Sequence, residues 1–267
     1  GLKKFIATCY RHEDKDLLAF DDKVSSEAVY YVYDGNGRLD DVIDDDELKE
    51  QIKPIPLTGD GDFRSDECVE LLKQADIVVT NPPFSLFREY ISQIMEHEKK
   101  FLVIGNQNAI TYKDVFALIR DNKMWLGTKS GDMKFIVPDY YELRTHRSWK
   151  DEDGTNWRSL GNACWFTNLD HPKRHEKIEL YDTYNENKYP HYDDYDAINV
   201  SKVADIPKDF TGKMGVPITF LDKYNPTQFE ILGIDRYIED NPNYGKRFSI
   251  NGKEVYARII IKNRATN

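Results

Sequence analysis

The chain has 267 residues, of which 40% are hydrophobic and 31% charged, enough to bury a core in one large domain or two modest ones, so disorder is excluded as the default. Its longest apolar stretches, residues 28–33 and 101–104, fall far short of the roughly 20 residues that a membrane-spanning helix needs, and a soluble protein with no membrane partner is expected. The net charge of -10 argues against a simple basic footprint for nucleic acid, but the excess acid is confined: residues 1–70 hold 19 Asp and Glu against 9 Lys and Arg, and residues 71–267 are neutral.

In chain order, the first half alternates short apolar runs with helical patterns, which predicts an α/β domain with a mainly parallel sheet. Residues 5–8 read as a buried strand, and residues 28–33 as a second strand ending in the turn Asp34-Gly35-Asn36-Gly37. The run Asp44-Asp45-Asp46-Glu47 reads as a solvated loop or helix start. Ser65 is a predicted N-cap for a helix through Leu72, followed by a strand at Ile77-Val78-Val79. Ser85 is the expected cap of a helix in which Leu86, Phe87, Tyr90, Ile91, Ile94 and Met95 recur at helical spacing. A strand at 101–104, a helix at about 112–120 and a strand at 124–126 continue the alternation.

The second half changes character. Residues 138–160 show little periodicity and read as a long loop or small insertion, a length uncommon unless functional or disordered. Residues 164–167 and 177–180 read as an antiparallel pair, and the tyrosine-rich residues 181–195 as an irregular surface segment. Strands are predicted at 217–220, 229–232 and 255–261, with Asn251-Gly252 a strong hairpin signal before the last. Cys9, Cys68 and Cys164 are widely spaced without a CxxC pair, so free thiols, a reducing and cytoplasmic setting and no metal site are expected. The chain opens at Gly1 rather than at a methionine and reads as a fragment or a trimmed chain.

The most informative stretch is Asn81-Pro82-Pro83-Phe84, directly after an apolar strand. A parallel strand delivers these residues to the carboxyl end of its sheet, where ligands bind in open α/β folds. Two prolines fix the backbone and remove two amide donors, leaving carbonyls that only accept. Asn81 adds a side-chain acceptor and Phe84 a flat apolar face, a set that suits a planar substrate carrying an NH2 group. Accepting both amine hydrogens favours a more tetrahedral, nucleophilic nitrogen, a gain realised mainly in the transition state of methyl transfer. The competing reading is a plain strand-to-helix turn, where proline is common. A second candidate is Gly59-Asp60-Gly61-Asp62-Phe63-Arg64, where glycines admit a ligand and an acid next to an aromatic suits an adenine; taken alone it reads first as a Gly/Asp turn.

At these residues the sequence resembles the EcoRI-type adenine-specific DNA methyltransferases. The likeness continues through Ile104-Gly105-Asn106-Gln107-Asn108-Ala109-Ile110, Gly161-Asn162-Ala163-Cys164-Trp165-Phe166-Thr167-Asn168 and Gly215-Val216-Pro217-Ile218-Thr219-Phe220-Leu221, and so covers most of the chain. It implies a Rossmann-like methyltransferase sheet, mainly parallel with an antiparallel strand, plus a smaller C-terminal β-rich region. It also implies S-adenosylmethionine as cofactor, N6 of adenine in double-stranded DNA as target, and functional pairing with a restriction endonuclease. By this resemblance Asn81, Pro82, Pro83 and Phe84 are catalytic, Asp60, Asp62 and Phe63 bind the adenosine part of the cofactor, residues 1–180 form the catalytic domain and 181–267 contribute to DNA recognition. The family's upstream segment, with the strand and loop for the methionine part of the cofactor, has no counterpart before Phe5.

Such an enzyme must extrude its target base, at a cost of roughly a few kcal/mol. Arg144, Arg147, Trp149, Lys150 and Arg158, mixing cations and aromatics with Trp157, are the candidates for DNA contact or for filling the vacated space. Residues 141–180 hold seven basic and seven acidic side chains, so a loop packed on the core competes with that reading. Lys173, Arg174 and Lys177 are a weaker candidate, since short charge runs are usually solvated. Methylation of a protein glutamine or an RNA base, or DNA binding without catalysis, are the alternative functions.

Overall fold

The structure, a computed structural model, describes residues 2–9, 27–34, 53–138, 140 and 146–264. The acidic run at 44–47, the turn residues Gly35, Asn36 and Gly37, and Arg144 lie outside the described residues. Gly1–Asp76 and Ile77–Asn267 form two compact units. No helix among the described residues is long and apolar enough to cross a membrane.

In the first unit, β1 (Phe5–Cys9), β2 (Val29–Tyr33) and β3 (Ile55–Pro56) make an antiparallel sheet in the order β1-β2-β3. The expectation of a buried first strand is corrected: Phe5 is exposed, and its neighbours are at most half-buried. A short apolar run does not itself distinguish an edge strand from a core strand. Helix α1 (Asp66–Gln74) starts as predicted, with the Ser65 hydroxyl accepting the Cys68 N–H and two acids in its first turn. It sets Cys68 against Ala28 and Leu57, a small core of its own.

The second unit opens with β4 (Ile77–Thr80), then α2 (Phe87–Glu96), β5 (Lys100–Asn106), α3 (Lys113–Arg120), β6 (Trp125–Ile136), β7 (Ser148–Lys150) and β8 (Asn156–Thr167). These strands form a sheet of order β4-β5-β8-β6, with β7 paired to β8. β4 and β5 pair in parallel, and β8 is antiparallel to β5, β6 and β7, so that β8 alone is reversed among strands of one direction. The described sheet is therefore mixed, with the single antiparallel strand that was expected lying between β5 and β6. Residues 138–160 are not one long loop: the described part is a β-hairpin that extends the sheet. These segments are short and mostly polar, with Asn156 and Ser159 among the buried residues, so they offer little apolar alternation to read.

The chain continues through β9 (Ile198–Asn199), β10 (Met214–Pro217), β11 (Phe229–Ile234), β12 (Ser249–Ile250), β13 (Lys253–Glu254) and β14 (Arg258–Asn263). Strands β11-β14-β10-β9 form a second sheet, and β12 and β13 pair through Asn251-Gly252, both at positive φ as the predicted tight hairpin requires. Residues 218–220, predicted as strand, instead begin a 3-10 helix over Ile218–Lys223. One core joins the two sheets, running from Phe87, Phe101 and Phe166 to Met214, Phe229 and Ile261.

Two further expectations are corrected here. Residues 177–180 do not pair with β8: the Gln228 amide brackets Ile178, accepting its N–H at 2.8 Å and donating to its carbonyl at 2.7 Å. Residues 181–195 are irregular but not superficial. Tyr189, Tyr192 and Tyr195 are buried, and their hydroxyls donate to the Asp205 carbonyl, Asn199 Oδ1 and Asp240 Oδ1 at 2.7 to 2.9 Å. Tyrosine enters a core when its hydroxyl finds an acceptor, and those acceptors lie outside the segment itself, 7 to 45 residues further on.

Asp235 is buried after β11, and burial pushes its pKa up to about 6, against the Arg236 N–H and Arg247 that pull it down. A carboxyl raised above its unfolded value near 3.8 favours the protonated fold. Its stabilising contribution is thus fullest below about pH 4, falls as pH rises towards 6, and is flat above, a total near 3 kcal/mol at about 1.4 kcal/mol per pH unit. Unfolding curves across that window should show this fall in the wild type relative to Asp235→Asn; parallel curves would refute it.

Candidate active site

Parallel pairing of Thr80 with Val103 puts the carboxyl ends of β4 and β5 side by side, and Asn81-Pro82-Pro83-Phe84 emerges at that end. The structure thus places all four predicted catalytic residues in one turn. Asn81 is exposed, and its side chain has no hydrogen-bond partner among the described residues. Pro82 is buried, and no described N–H reaches its carbonyl, whereas the Pro83 carbonyl accepts the Leu86 N–H at 2.9 Å. Two acceptors, the Asn81 amide oxygen and the Pro82 carbonyl, are therefore uncommitted. Phe84 is 39% exposed as a residue, which leaves surface to stack on a planar group.

The turn is anchored from behind. Residues Phe84–Leu86 form a 3-10 turn with Pro83 at its N-cap, so Ser85 is not the cap that its sequence position suggested. Phe87 opens α2, is 1% exposed and lies 4.8 Å from the Phe166 ring. Both rings rest on Gly105 of β5, where an added Cβ would come within 2.5 Å of Phe87. The carboxyl end of β5 continues into a 3-10 turn, Gln107–Thr111, capped by Asn106 Oδ1 accepting the Asn108 N–H at 2.9 Å. Cys164 lies fully buried nearby on β8, and burial pushes its thiol up to about 12, which removes it as a nucleophile at neutral pH.

In the first unit, Asp60 and Asp62 shape the turn before α1. The Asp62 N–H donates to Asp60 Oδ1 at 2.9 Å, and the Asp62 carboxylate takes the Arg64 N–H, Nε and Nη2 at 2.6 to 2.9 Å. Arg64 holds the Asp62 carboxyl below the usual carboxylate range and lies 5.3 Å from the Phe63 ring centre. Space remains: a Cβ at Gly59 would meet nothing within 4 Å. An ionised carboxylate beside a half-exposed aromatic, in an open glycine turn, fits the hydroxyls and flat base of a nucleoside.

The remaining candidates lie on the β7–β8 hairpin. Trp149 and Trp157 face each other across it at 6.4 Å with an 8° interplanar angle, and the Lys134 ammonium sits 5.6 Å over Trp149. Asp151 ties the turn, accepting Trp157 Nε1 at 2.7 Å and the Thr155 N–H at 2.8 Å. Lys150 is exposed and Arg158 half-buried on β8. Arg147 is exposed and forms an ion pair with Asp132 of β6 at 3.7 Å. Asp132 and Ser159, which with Gly161 surround Arg147, escaped sequence reasoning because strand pairing alone brings them there. By contrast, Arg174 is not on a solvated face: it is buried, 3.5 Å over the Trp125 ring, and donates to Asn122.

The family described as "Adenine-specific methyltransferase EcoRI" matches residues 1–264. The chain is 48% identical to the type II methyltransferase M.EcoRI of Escherichia coli, over 99% of this chain and 78% of that protein. It is 38% identical to the type II methyltransferase M.MgeORF184P of Mycoplasma genitalium, over 93% and 79%, and 40% identical to M.MpnI of Mycoplasma pneumoniae, over 80% and 72%. No solved structure matches it.

Proposed function

Since the chain belongs to the family of EcoRI adenine-specific methyltransferases, we propose that it transfers a methyl group from S-adenosylmethionine to N6 of an adenine extruded from duplex DNA, as the protective half of a restriction-modification system. The observation that carries this reading is the pair of uncommitted acceptors at the end of β4, next to an open aromatic face. An exocyclic amine donates its lone pair into its ring and is a poor nucleophile. Asn81 Oδ1 and the Pro82 carbonyl each accept one of its hydrogens, which draws the nitrogen towards a tetrahedral geometry with its lone pair freed for attack. The Phe84 ring stacks on the base and offsets part of the cost of unstacking it from the duplex.

The methyl donor supplies a sulfonium-bound methyl group, and Asp60, Asp62 and Phe63 are the described residues whose chemistry suits its nucleoside part. Arg64 covers both Asp62 and Phe63 and is itself exposed, so its departure would uncover them. Residues 1–180 carry the catalytic part in this reading, and 181–267 contribute to holding the duplex. Arg147, Trp149, Lys150 and Arg158 are its DNA-facing side chains.

Incubating the chain with labelled S-adenosylmethionine and unmethylated genomic DNA, followed by nucleoside analysis, should yield N6-methyladenine. Label appearing only in added RNA or protein would transfer the motif to another planar amine. Phe84→Ala should weaken productive binding of DNA by about 10-fold or more, since stacking is worth about 1–3 kcal/mol per base, while cofactor affinity stays unchanged. An equal loss of both affinities would remove the stacking role.

A further inference from the structure

Past the carboxyl end of β5, the strands β6, β7 and β8 continue alone. Asn106, the last residue of β5, pairs with Ala163, so Asn156 to Asn162 of β8 project beyond it, off the same sheet end as Asn81. At about 3.3 Å per residue, Gly161 lies roughly 15 Å along β8 from the level of Thr80, a few base-pair steps away. Side chains on the face of this three-stranded projection are placed to reach base edges from the surface of a duplex.

The projecting strands form an open groove of about 510 Å³, lined by Asp132, Lys134, Arg147, Trp149, Ser159 and Gly161 among others. Its geometry is built rather than incidental. Gly131, at φ +86°, precedes a register shift that sets Asp132 opposite both Gly161 and Asn162. The Ser159 hydroxyl donates to Asp132 Oδ1, and Arg147 stands 3.7 Å from the same carboxylate. The Arg147 guanidinium lies directly on Gly161, where an added Cβ would be 1.9 Å from Nη1. The Arg147 carbonyl accepts the Ser159 N–H at 2.8 Å, which holds that residue's backbone to β8. Both charged side chains remain about half exposed.

A fixed carboxylate in the groove repels a phosphate track. It does suit the edge of a base pair, where a donor fork and an acceptor are wanted side by side. In the major groove guanine shows two acceptors and its partner cytosine an amino donor, the complement of an arginine next to an aspartate. We propose that Arg147 and Asp132 form a specificity pair that reads one guanine–cytosine base pair of the target, Arg147 facing the guanine and Asp132 the cytosine amino group, with Ser159 and Gly161 fixing their positions. This rests on the reading of duplex DNA as substrate.

The test begins with the sequence that the wild-type chain methylates in genomic DNA. Initial rates are then measured on duplexes in which each base pair of that sequence is replaced in turn. The wild type should discriminate by about 10- to 100-fold against replacement of one guanine–cytosine pair. Arg147→Lys and Asp132→Ala should lose most of that ratio at this pair and keep the ratios elsewhere, and Arg147→Lys should keep the salt dependence of binding. Gly161→Ala should do the same, because it displaces only the end of a flexible side chain, as an unchanged unfolding transition would show. Uniform weakening on every duplex, with Arg147→Ala lowering the salt slope by about one, would make Arg147 a phosphate contact and overturn the pair. Unchanged ratios in all variants, or a target without a guanine–cytosine pair, would overturn it too. Absence of methyl transfer to any duplex by the wild type is a separate result, which removes the substrate reading and the pair with it.

Discussion

Asn81→Ala should lower kcat by about 10²–10³-fold, the range expected when one pre-placed hydrogen-bonding group of a reacting centre is removed. The side chain is exposed, and no described residue depends on it for a hydrogen bond, so the variant should fold with an unchanged unfolding transition. Loss of activity without loss of fold is the signature of a group that acts on substrate. Single-turnover rates with saturating DNA and cofactor separate the chemical step from binding. Turnover within a few-fold of wild type would end the catalytic assignment. Asn81→Asp keeps an oxygen in place but adds a negative charge, and its rate would show whether an acceptor alone is enough.

Phe87→Ala should destabilise the second unit by about 3–5 kcal/mol, the usual cost of emptying a buried aromatic site. The ring is 1% exposed, packs against Phe166 at 4.8 Å and rests on Gly105 where a Cβ cannot fit, so the cavity left has backbone on one side and little freedom to collapse. Because Phe87 is three residues past Phe84, the same substitution frees the turn that carries the catalytic motif. Denaturant unfolding measures the first effect, and kcat below the unfolding range the second. Phe87→Leu, which fills much of the volume, should cost distinctly less. A loss below about 1 kcal/mol for the alanine variant would show that the ring is not the anchor, since core truncations of this size rarely cost so little.

Some of this protein was open to a reader of its residues. The order of strand, Asn-Pro-Pro-Phe and helix is a local statement, because proline removes donors and fixes φ wherever it stands. The Ser65 cap and the Asn251-Gly252 hairpin are local for the same reason, each settled by the backbone preferences of two to four neighbouring residues. The unbridged thiols of Cys68 and Cys164 were legible from their spacing.

Other features were closed to such reading. That β8 runs antiparallel between β5 and β6 depends on pairing residues some 60 positions apart, such as Asn106 with Ala163, and apolar alternation encodes neither direction nor partner. The buried tyrosines looked like a polar surface because the acceptors that let them inside, from Asn199 to Asp240, lie outside their own segment, and only the fold aims the hydroxyls at them. Arg147 carried a signal as a cation among aromatics and Gly161 stood in a stretch of family likeness, but Asp132 and Ser159 carried none. Chemistry that a few adjacent side chains and a fixed backbone perform is written locally in the chain. Strand direction, register and the surroundings of a charged group are long-range, and only packing of the whole unit selects among the many pairings that local preference allows.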